Sequence, residues 1–249
     1  MLVLQYLRII DCWENKLRQQ LLHGFMLHQR AYRENSKLVH FFSLEFGRID
    51  GVIRGSSIPL YQPVLLYASG KSALKTLSKV EWVGSPKNLQ GAALFAGFYA
   101  NELLVRLALL EEPVPNTFAA YSQLLDSLQN LPASDVNNLV LMTALRRFES
   151  VLLAELGYAI NFSQDFLGLD IQPEQLYRYT PSEGFSANQS GELGAHLLAM
   201  AHSDVMFSQQ IIAPEVVAML TRVYRKALAV LLNDKPLKSR ELWIAQQGK

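Results

Sequence analysis

Residues 21–85 contain short apolar or alternating runs separated by charged and glycine-containing breaks, which is typical of β-strands. The pattern predicts strands over residues 21–30, 37–44, 48–55, 63–68 and 74–83. The last run also fits a helix, because Leu74, Leu77 and Val80 repeat every three residues. Five short strands at this spacing favour a small, partly closed barrel, and the OB-fold is the common five-stranded example.

Alternation in the run 74–83 separates charged from apolar positions if this run is a strand. The charged face would carry Lys75, Lys79 and Glu81. The opposite face would carry Leu74, Val80 and Trp82. Both lysines would then lie on one surface of the sheet.

From residue 86 onward, long stretches of alanine and leucine replace the strand pattern, and they predict helices over residues 89–110, 117–131, 135–156, 192–201 and 214–232. Asp135 is placed to cap the third helix and Gly157 to end it. Residues 161–190 are polar and irregular, with a small hairpin predicted at YRYTPSEGF, residues 177–185. The chain is therefore predicted to be α+β, with a barrel over residues 21–85 and an all-helical domain over residues 86–249.

Composition places this chain among globular proteins, since half of its 249 residues are apolar and only 18% are charged. No apolar run is long enough to cross a bilayer, and the apolar start is broken by Arg8 and Asp11 and lacks a cleavage site. The single cysteine, Cys12, rules out an internal disulfide and a cysteine-rich metal site. We expect a soluble cytoplasmic protein without a cofactor.

Charge is distributed unevenly along the chain. The first 90 residues hold 12 basic and 6 acidic residues, whereas the remainder holds 11 basic and 16 acidic residues. A basic first third indicates a polyanionic partner such as nucleic acid, because neutralising phosphates supplies most non-specific affinity. A lysine-rich surface without such a partner fits the charge equally well.

Motifs of common enzyme classes are absent from the sequence, which has no GxxxxGK[ST], GxGxxG, GxSxG or HExxH pattern. The five histidines are scattered, and His196 and His202 are six residues apart, which does not place them on one helical face. No residue can be named as nucleophile, base or metal ligand, so the sequence predicts a non-enzymatic protein and a hydrolase has no positive support.

Nucleic-acid binding has more candidates, because cations and aromatic rings alternate along the predicted strands and loops, a combination that follows a phosphate backbone while stacking bases. The candidate DNA-binding cations are Arg30, Arg33, Lys37, Arg48, Arg54, Lys71, Lys75 and Lys79. The interleaved rings are Tyr32, Phe41, Phe42, Phe46, Tyr61 and Tyr67. Most of these rings must also build the barrel core, so we expect no more than one or two to stack on bases.

Two adjacent arginines, Arg146 and Arg147, interrupt the apolar pattern of the third predicted helix. A guanidinium at the edge of an apolar surface is costly to leave unpaired and is well shaped to grip a carboxylate. Residue chemistry alone favours an internal ion pair with Glu149 or Glu155 over a binding site.

Several segments form an ordered set of motifs along the chain. In the barrel they are HQR with Tyr32, Glu34, Asn35 and Ser36, then Phe41, FGR at 46–48 and VIRG at 52–55. In the helical part they are FYANELLVRL (98–107), LRRFESVLLAELGY (145–158), YRYTPSEGF (177–185) and KPLKSRELW (235–243). Together these segments resemble the RecO family of bacterial recombination mediators, and the four helical segments, in this order, make the resemblance specific.

The resemblance implies an N-terminal OB-fold, a helical domain and a non-enzymatic role in DNA repair near the nucleoid. Members bind single- and double-stranded DNA, anneal complementary strands, and work with RecR to load RecA onto DNA coated by the single-strand binding protein SSB. They hold the acidic, apolar tail of SSB, which ends in a carboxylate beside an aromatic residue, on the helical domain. On this chain the resemblance assigns that role to Arg146, Arg147 and Phe148, with Lys238 and Arg240 as weaker candidates that could instead cap the last helix.

Three departures from the family pattern stand out. The segment 161–190 has no cysteine, whereas many members carry a four-cysteine zinc module there, so no zinc is expected and packing alone must hold this segment. The usual basic loop is shortened to RGSSIP (54–59), which favours weaker DNA binding or a shift toward Lys71, Lys75 and Lys79. Residues 1–20 precede the usual family start as an N-terminal extension, either an added helix or an upstream misreading of the start codon. The short loop also leaves an alternative function open, that of a protein-interaction adaptor whose barrel binds DNA weakly or not at all.

Overall fold

The computed structural model describes residues 19–132, 134–201 and 210–247. Most of the predicted extension, together with Cys12 and His202, therefore lies outside the described residues. The chain divides into two compact units. One contains the described residues up to Lys87 together with Ala108–Pro113, and the other contains Asn88–Leu107 and the chain from Val114 onward.

Five strands form a closed barrel in the first unit, in the order β1-β2-β3-β5-β4. Their bounds are β1 Gln20–Tyr32, β2 Ser36–Ser43, β3 Gly47–Arg54, β4 Pro63–Ser69 and β5 Leu74–Trp82. Only the β3–β5 pair is parallel. Inward side chains from all five strands, including Leu22, Phe41, Ile49, Leu66 and Leu77, fill the barrel. The predicted five-stranded barrel is confirmed, and the run 74–83 is a strand rather than a helix.

The predicted faces of β5 are wrong, because the strand carries a bulge. The register against β4 shifts between the pairs Leu65 with Glu81 and Tyr67 with Ser78, and Lys79 has a φ of +52°. A bulge adds one residue and inverts the alternation beyond it. Lys75 consequently points inward with Leu77, while Lys79 points to solvent.

The segment Ala108–Pro113 belongs to the barrel unit rather than to the preceding helix, which ends at Leu107 and not at the predicted residue 110. The Glu111 amide donates to the Arg48 carbonyl at 2.9 Å. Gly47, with a φ of +61°, lies so close to this segment that an added Cβ would stand 1.9 Å from the Glu112 carbonyl oxygen. Glycine is therefore required there both for the turn and for the close approach.

Six α-helices of the described chain build the second unit. They are α1 Gly91–Leu107, α2 Pro115–Gln129, α3 Leu139–Glu155, α4 Gly194–Ala201, α5 Pro214–Leu231 and α6 Lys238–Gln247. A small sheet of order β7-β6-β8 accompanies them, with bounds β6 Leu176–Thr180, β7 Gly184–Ala187 and β8 Glu192–Leu193. The β6–β7 pair is the hairpin predicted at YRYTPSEGF. No helix of the chain as described combines the length and apolarity needed to cross a membrane.

Both ends of α3 follow from local chemistry. Asn137 and Asn138 adopt left-handed conformations with φ of 57° and 55°, so the helix begins at Leu139 and not at Asp135 as predicted. Asp135 still caps it, since its carboxylate accepts the amides of Val140 and Leu141 at 2.9 and 3.2 Å. At the other end, Gly157 has a φ of +84° and terminates the helix as predicted.

Aromatic packing holds the cysteine-free segment 161–190 onto the helices. The Phe162 ring packs against Phe185 at 5.6 Å and against Tyr224 of α5 at 6.5 Å between centroids. Tyr179 also packs on Phe185, at 5.2 Å between ring centroids. These contacts occupy the interior of a segment that the family resemblance associates with zinc.

Candidate functional site

One end of the barrel gathers four of the predicted DNA-binding cations. The strand register places Tyr32 opposite Ser36 and Ser36 opposite Arg54, and it pairs Ala31 with Lys37. The residues that this register brings to the β1–β2 turn and the end of β3 are Arg30, Arg33, Lys37 and Arg54. Arg30, Arg33 and Arg54 are exposed and Lys37 is half-buried. The barrel therefore presents a cationic end.

Side-chain contacts order this cationic end. The Arg33 guanidinium lies 5.3 Å from the centroid of the Tyr32 ring, and the Lys37 ammonium donates to the Ser57 hydroxyl. Gln29 fixes the short β3–β4 loop, because its amide both donates to the Ile58 carbonyl at 2.6 Å and accepts the Ile58 amide proton at 3.2 Å. The loop that replaces the usual basic loop is thus tied to β1.

Lys79 and Lys71 lie on other exposed parts of the barrel. Lys79 stands on the β5 bulge with its ammonium 5.1 Å from the Tyr67 ring centroid. Lys71 is exposed in the turn between β4 and β5. Of the predicted stacking rings, only Tyr32 and Tyr67 are partly exposed, while Phe41, Phe42, Phe46 and Tyr61 are buried. A ring beside a cation is an arrangement suited to holding a nucleotide.

Lys75 and Arg48 are poorly placed for DNA, which corrects their selection as candidates. Lys75 is 5% exposed and forms an ion pair with Glu111 at 2.8 Å. The side chain of Arg48 is 16% exposed, and its Nε lies 3.5 Å from Asp50. Glu111 is the partner that holds Lys75 inside. Neither cation presents its charge to a passing phosphate.

The arginine pair of α3 divides into two different environments. Arg146 is 6% exposed and donates to Glu149, which is fully buried, at 2.8 Å. The Tyr99 hydroxyl of α1 donates to the same Glu149 oxygen. Burial raises the pKa of the Glu149 carboxyl, against the opposing effects of the Arg146 charge and the Tyr99 hydrogen bond. The internal ion pair with Glu149 is therefore present, whereas Glu155 instead caps α2 through the amides of Asn116 and Thr117.

Arg147 and Phe148 are both engaged in contacts within the protein. Arg147 donates to the Gln210 carbonyl through Nη2. Phe148 is 1% exposed and packs against Tyr121 at 6.2 Å between ring centroids. Phe148 is a core residue, so it cannot contact a docked peptide, and its selection as a binding residue is corrected.

An apolar groove with a volume of about 570 Å³ runs between α1, α3, α5 and α6 of the second unit. We call it the helical groove. Its apolar lining includes Phe95, Leu145, Leu228, Trp243 and Ile244. Trp243 packs on Phe95 at 5.2 Å between centroids, and Ile244 is 60% exposed. A concave apolar surface of this size is typical of sites that bind ligands or peptide side chains.

Three arginines converge on the helical groove: Arg146 from α3, Arg225 from α5 and Arg240 from α6. Burial, followed by the neighbouring charges of Arg240 and Arg146, lowers the pKa of Arg225. Within the described parts of the chain, neither Arg225 nor Arg240 forms an ion pair. Like charges this close repel one another, and an anion bound between them would relieve the repulsion.

Arg225 is a groove residue that was not among the candidates predicted from the sequence, although it interrupts an apolar helical pattern as Arg146 does. Thr221, Arg225, Leu228 and Leu232 recur at helical spacing and all line the groove. Arg240 was a weaker candidate and proves to line the groove. Lys238 lies at the start of α6, where its amide donates to Glu102 at 3.0 Å, and it does not line the groove. What the sequence could not provide is the meeting of three separate helices at one place.

In the described ranges, no group of three or more His, Cys, Asp or Glu side chains could hold a metal ion. The His40 ring instead contacts Asp50, with Nδ1 and Oδ1 separated by 2.7 Å. The His23 ring contacts Glu45 at 2.5 Å.

Comparisons with known proteins cover both units. Residues 18–86 match the family model described as "Recombination protein O N terminal", and residues 89–241 match "Recombination protein O C terminal". The chain is 37% identical over 239 residues to "DNA repair protein RecO" of Nitrosospira multiformis, covering 92% of this chain and 96% of that protein. It is 37% identical over 230 residues to the protein of that name from Pseudomonas paraeruginosa, covering 88% and 93%. The corresponding protein of Halorhodospira halophila is 34% identical over 232 residues, covering 88% and 94%.

Proposed function

The chain belongs to the recombination protein O family of DNA repair proteins, and we propose that it acts as a non-enzymatic recombination mediator. In this role it binds single- and double-stranded DNA and anneals complementary strands. It also works with RecR to load RecA onto DNA coated by SSB. The observation that carries the proposal is the helical groove, where three arginines meet an apolar surface.

The chemistry of the helical groove suits an acidic, apolar peptide with a terminal carboxylate, which is the tail that the family resemblance assigns to SSB. Phe95, Trp243 and Ile244 offer an apolar surface for an aromatic side chain. Arg225 and Arg240 offer guanidinium groups to the carboxylate, since planar guanidinium matches carboxylate geometry in two hydrogen bonds. Four basic against two acidic side chains line the groove, which favours an anionic ligand: Arg146, Arg225, Lys235 and Arg240 against Asp234 and Glu241.

Arg146 lines the groove, but its guanidinium is already bonded inside the protein. Its Nη2 is engaged by Glu149, and its Nε is buried without a hydrogen-bond partner. A carboxylate in the groove would approach the more exposed Arg240 and Arg225 first. Because Arg146 is already paired with Glu149, we assign the direct contact to Arg240 and Arg225.

A tail-peptide titration tests the groove. Arg240→Ala should weaken binding of a fluorescent peptide carrying the C-terminal residues of SSB by about 1.5–3 kcal/mol, because a charge-assisted hydrogen bond is lost. Arg178→Ala is the matched control, since Arg178 is exposed on β6 and does not line the groove. Equal affinity of the folded Arg240→Ala variant and the control would reject the assignment.

The cationic end of the barrel supports the DNA part of the proposal. Arg30, Arg33 and Arg54 are exposed there, and Tyr32 lies beside Arg33. Neutralising phosphates on two strands lowers their mutual repulsion, which is the physical basis we propose for annealing. Lys79 with Tyr67 extends the cationic surface to β4 and β5.

Salt dependence tests this surface. Log affinity for single-stranded DNA should fall with log salt concentration with a slope of about −0.7 for each phosphate contacted. Arg33→Ala and Arg54→Ala should each reduce the steepness by about one contact, whereas Glu183→Ala, which is exposed on the β6–β7 turn, should leave it unchanged. A wild-type affinity that does not vary with salt would exclude this mechanism.

A second function, a protein-interaction adaptor, has its own support. Two of eight predicted DNA contacts, Arg48 and Lys75, are held by acidic partners, and the β3–β4 loop carries no cation beyond Arg54. In that case the helical groove recruits partners while the barrel binds DNA weakly. Charge reversal at Lys71 and Lys79 together with Arg54 decides between the two, because unchanged strand annealing would favour the adaptor.

A further inference from the structure

An exposed loop between α3 and β6 has the chemistry of the ligand that the helical groove selects. It is Asp165–Asp170, with the sequence DFLGLD, and we call it the DFLGLD loop. Its apolar side chains Phe166, Leu167 and Leu169 are 53%, 66% and 61% exposed. Three large apolar side chains exposed within four residues, with an aspartate on each side, are unusual on a surface without a partner.

Hydrogen bonds within the loop order it as a compact turn. Asp165 accepts the amides of Leu167 and Leu169 on Oδ1, each at 2.9 Å. The Asp165 amide donates to the Leu169 carbonyl at 2.8 Å, and the Gly168 amide donates to the Asp165 carbonyl at 3.0 Å. The Phe166 amide joins the loop to β7 by donating to Phe185 at 2.8 Å. Because the loop is already ordered, little conformational entropy is lost when it binds.

We propose that the DFLGLD loop of one chain docks in the helical groove of a second copy and so competes with the SSB tail. This inference rests on the proposed tail-binding role of the groove. None of the loop residues lines the groove of its own chain, and the hydrogen bond to Phe185 holds the loop against the small sheet. The groove that it enters is therefore that of another molecule.

Charge and shape complementarity identify the second copy as the partner. The loop offers Phe166 and Leu167 to the apolar wall of Phe95, Trp243 and Ile244, while its aspartates face the guanidinium groups of Arg225 and Arg240. The loop thus carries the acidic and apolar character of the tail on a folded turn.

The symmetry of the contact has a consequence for assembly. Loop and groove are different surfaces, so two copies can exchange loops about a twofold axis in a closed dimer, or the contact can continue head-to-tail into a ring or an extended assembly. Each engaged groove is closed to the tail. Self-association at high protein concentration and recruitment by SSB would then exclude each other, because both need the same groove.

Sedimentation velocity over a range of protein concentrations tests the proposal. The wild-type chain should show a mass that rises with concentration, and the double variant Phe166→Ser/Leu167→Ser should remain monomeric. Val230→Ser is the matched control, since Val230 is 55% exposed and does not line the groove, and it should behave as wild type. Wild type that stays monomeric at every concentration, or a double variant that still associates, would overturn the proposal.

Mixing two variants gives the sharpest version of the test. Phe166→Ser/Leu167→Ser lacks the loop surface and Arg240→Glu lacks the groove charge, so neither should associate alone. An equimolar mixture should form dimers that stop at two copies, because each pair retains one intact loop and one intact groove. A mixture that remains monomeric while wild type associates would place the contact elsewhere.

The SSB-tail peptide separates this inference from the proposed function. The peptide should dissociate wild-type assemblies, and the loop variant should bind it with an affinity within about twofold of the monomeric wild type, since surface changes outside the groove have small effects. If the loop variant binds no peptide although it is folded, tail binding fails as a function. If it binds the peptide but wild-type assemblies persist at saturating peptide, only the self-association inference fails.

Discussion

Lys75 is buried in an ion pair, which removes it from the candidate DNA-binding surface of the barrel. Its ammonium is paired with Glu111 at 2.8 Å, inside the barrel unit. Lys75→Ala should lower the free energy of unfolding by about 1–3 kcal/mol, because the Glu111 carboxylate loses its partner. Urea denaturation measures this loss. The salt slope of DNA binding should stay as in wild type.

Lys79→Ala is the matched comparison. Lys79 is exposed on the same strand, so its removal should leave stability within about 0.5 kcal/mol of wild type and make the salt slope shallower by about 0.7. A steeper loss of DNA binding for Lys75→Ala than for Lys79→Ala would contradict the structural distinction between these lysines.

The difference between these lysines could not be read from the sequence. Alternation places positions 75 and 79 on the same face of an ideal strand, and only the bulge at Lys79 separates them. A bulge depends on the pairing with β4, which is a tertiary property. Burial of Lys75 in turn depends on Glu111, which lies 36 positions away in the sequence.

Arg146 forms the internal ion pair with Glu149 that residue chemistry favours. It neutralises Glu149, which is fully buried and also accepts a hydrogen bond from Tyr99. Arg146→Ala should cost about 3–5 kcal/mol of unfolding free energy, because it leaves a buried carboxylate without its counter-charge. Thermal and urea denaturation measure the change.

A double variant tests whether the lost ion pair causes the instability of Arg146→Ala. Arg146→Met/Glu149→Gln removes both charges while conserving volume, so it should recover much of the stability lost in Arg146→Ala. If the double variant is as unstable as the single one, the loss arises from packing and the ion pair is not its cause. Tail affinity of the recovered variant then reports the contribution of Arg146 to the helical groove without a folding defect.

At the scale of elements, α6 is attached through its first turn. Glu102 of α1 accepts the amides of Lys238 and Ser239 at 3.0 and 2.9 Å and the Ser239 hydroxyl at 2.7 Å. Burial alone would raise the pKa of Glu102, but the hydrogen bonds from Ser239 and Lys238 and the charge of Arg106 outweigh it and hold this pKa below its ordinary value. Because α6 carries Arg240 and Trp243, this cap positions one wall of the groove.

The lowered pKa gives the cap a defined pH dependence. A carboxyl whose pKa is depressed on folding contributes stability above its unfolded pKa of about 4.3, and this contribution is lost as the pH falls through the folded value. Glu102→Gln should therefore reduce the protection of α6 amides at neutral pH by about 0.5–2 kcal/mol, the range for a helix cap. Hydrogen exchange measured by mass spectrometry resolves α6 from other helices.

In wild type, the hydrogen-exchange protection of the α6 amides should fall by the same amount only at acid pH. In Glu102→Gln, this protection should show no further fall at acid pH. Glu183→Gln is the control, because Glu183 is exposed in the β6–β7 turn. An acid step of equal size in wild type and Glu102→Gln would show that another group is responsible.

Element positions were largely predictable, and the exceptions have local physical causes. Periodicity located the five strands and the helices α1 to α5, because burial repeats with the period of the backbone, but it did not locate α6. The start of α3 was misplaced because two consecutive asparagines, Asn137 and Asn138, adopt left-handed conformations. The end of α1 was misplaced because residues 108–113 pair with the barrel unit through Arg48 and Gly47. Both depend on conformations or contacts that periodicity does not encode.

At the scale of the whole molecule, each of the two units contains one candidate site. The cationic end of the barrel lies in the first unit, and the helical groove lies wholly in the second. The sequence indicated each part, through a basic first third and an arginine in an apolar helix. It could not show that Arg225 and Arg240 join Arg146, because three helices far apart in sequence must pack before these charges meet.

Separate sites predict separable defects. Arg33→Glu/Arg54→Glu should weaken binding and annealing of bare oligonucleotides while SSB-tail affinity remains as in wild type, because the altered charges lie in the barrel unit. Arg240→Glu should do the reverse: annealing of bare strands persists, and annealing of SSB-coated strands is lost because the coat no longer recruits the protein. Fluorescence-resonance energy transfer between labelled strands, with and without SSB, measures both reactions in one assay. If Arg240→Glu impairs bare and coated strands equally, the groove acts on DNA itself, and the division of labour between barrel and groove is wrong.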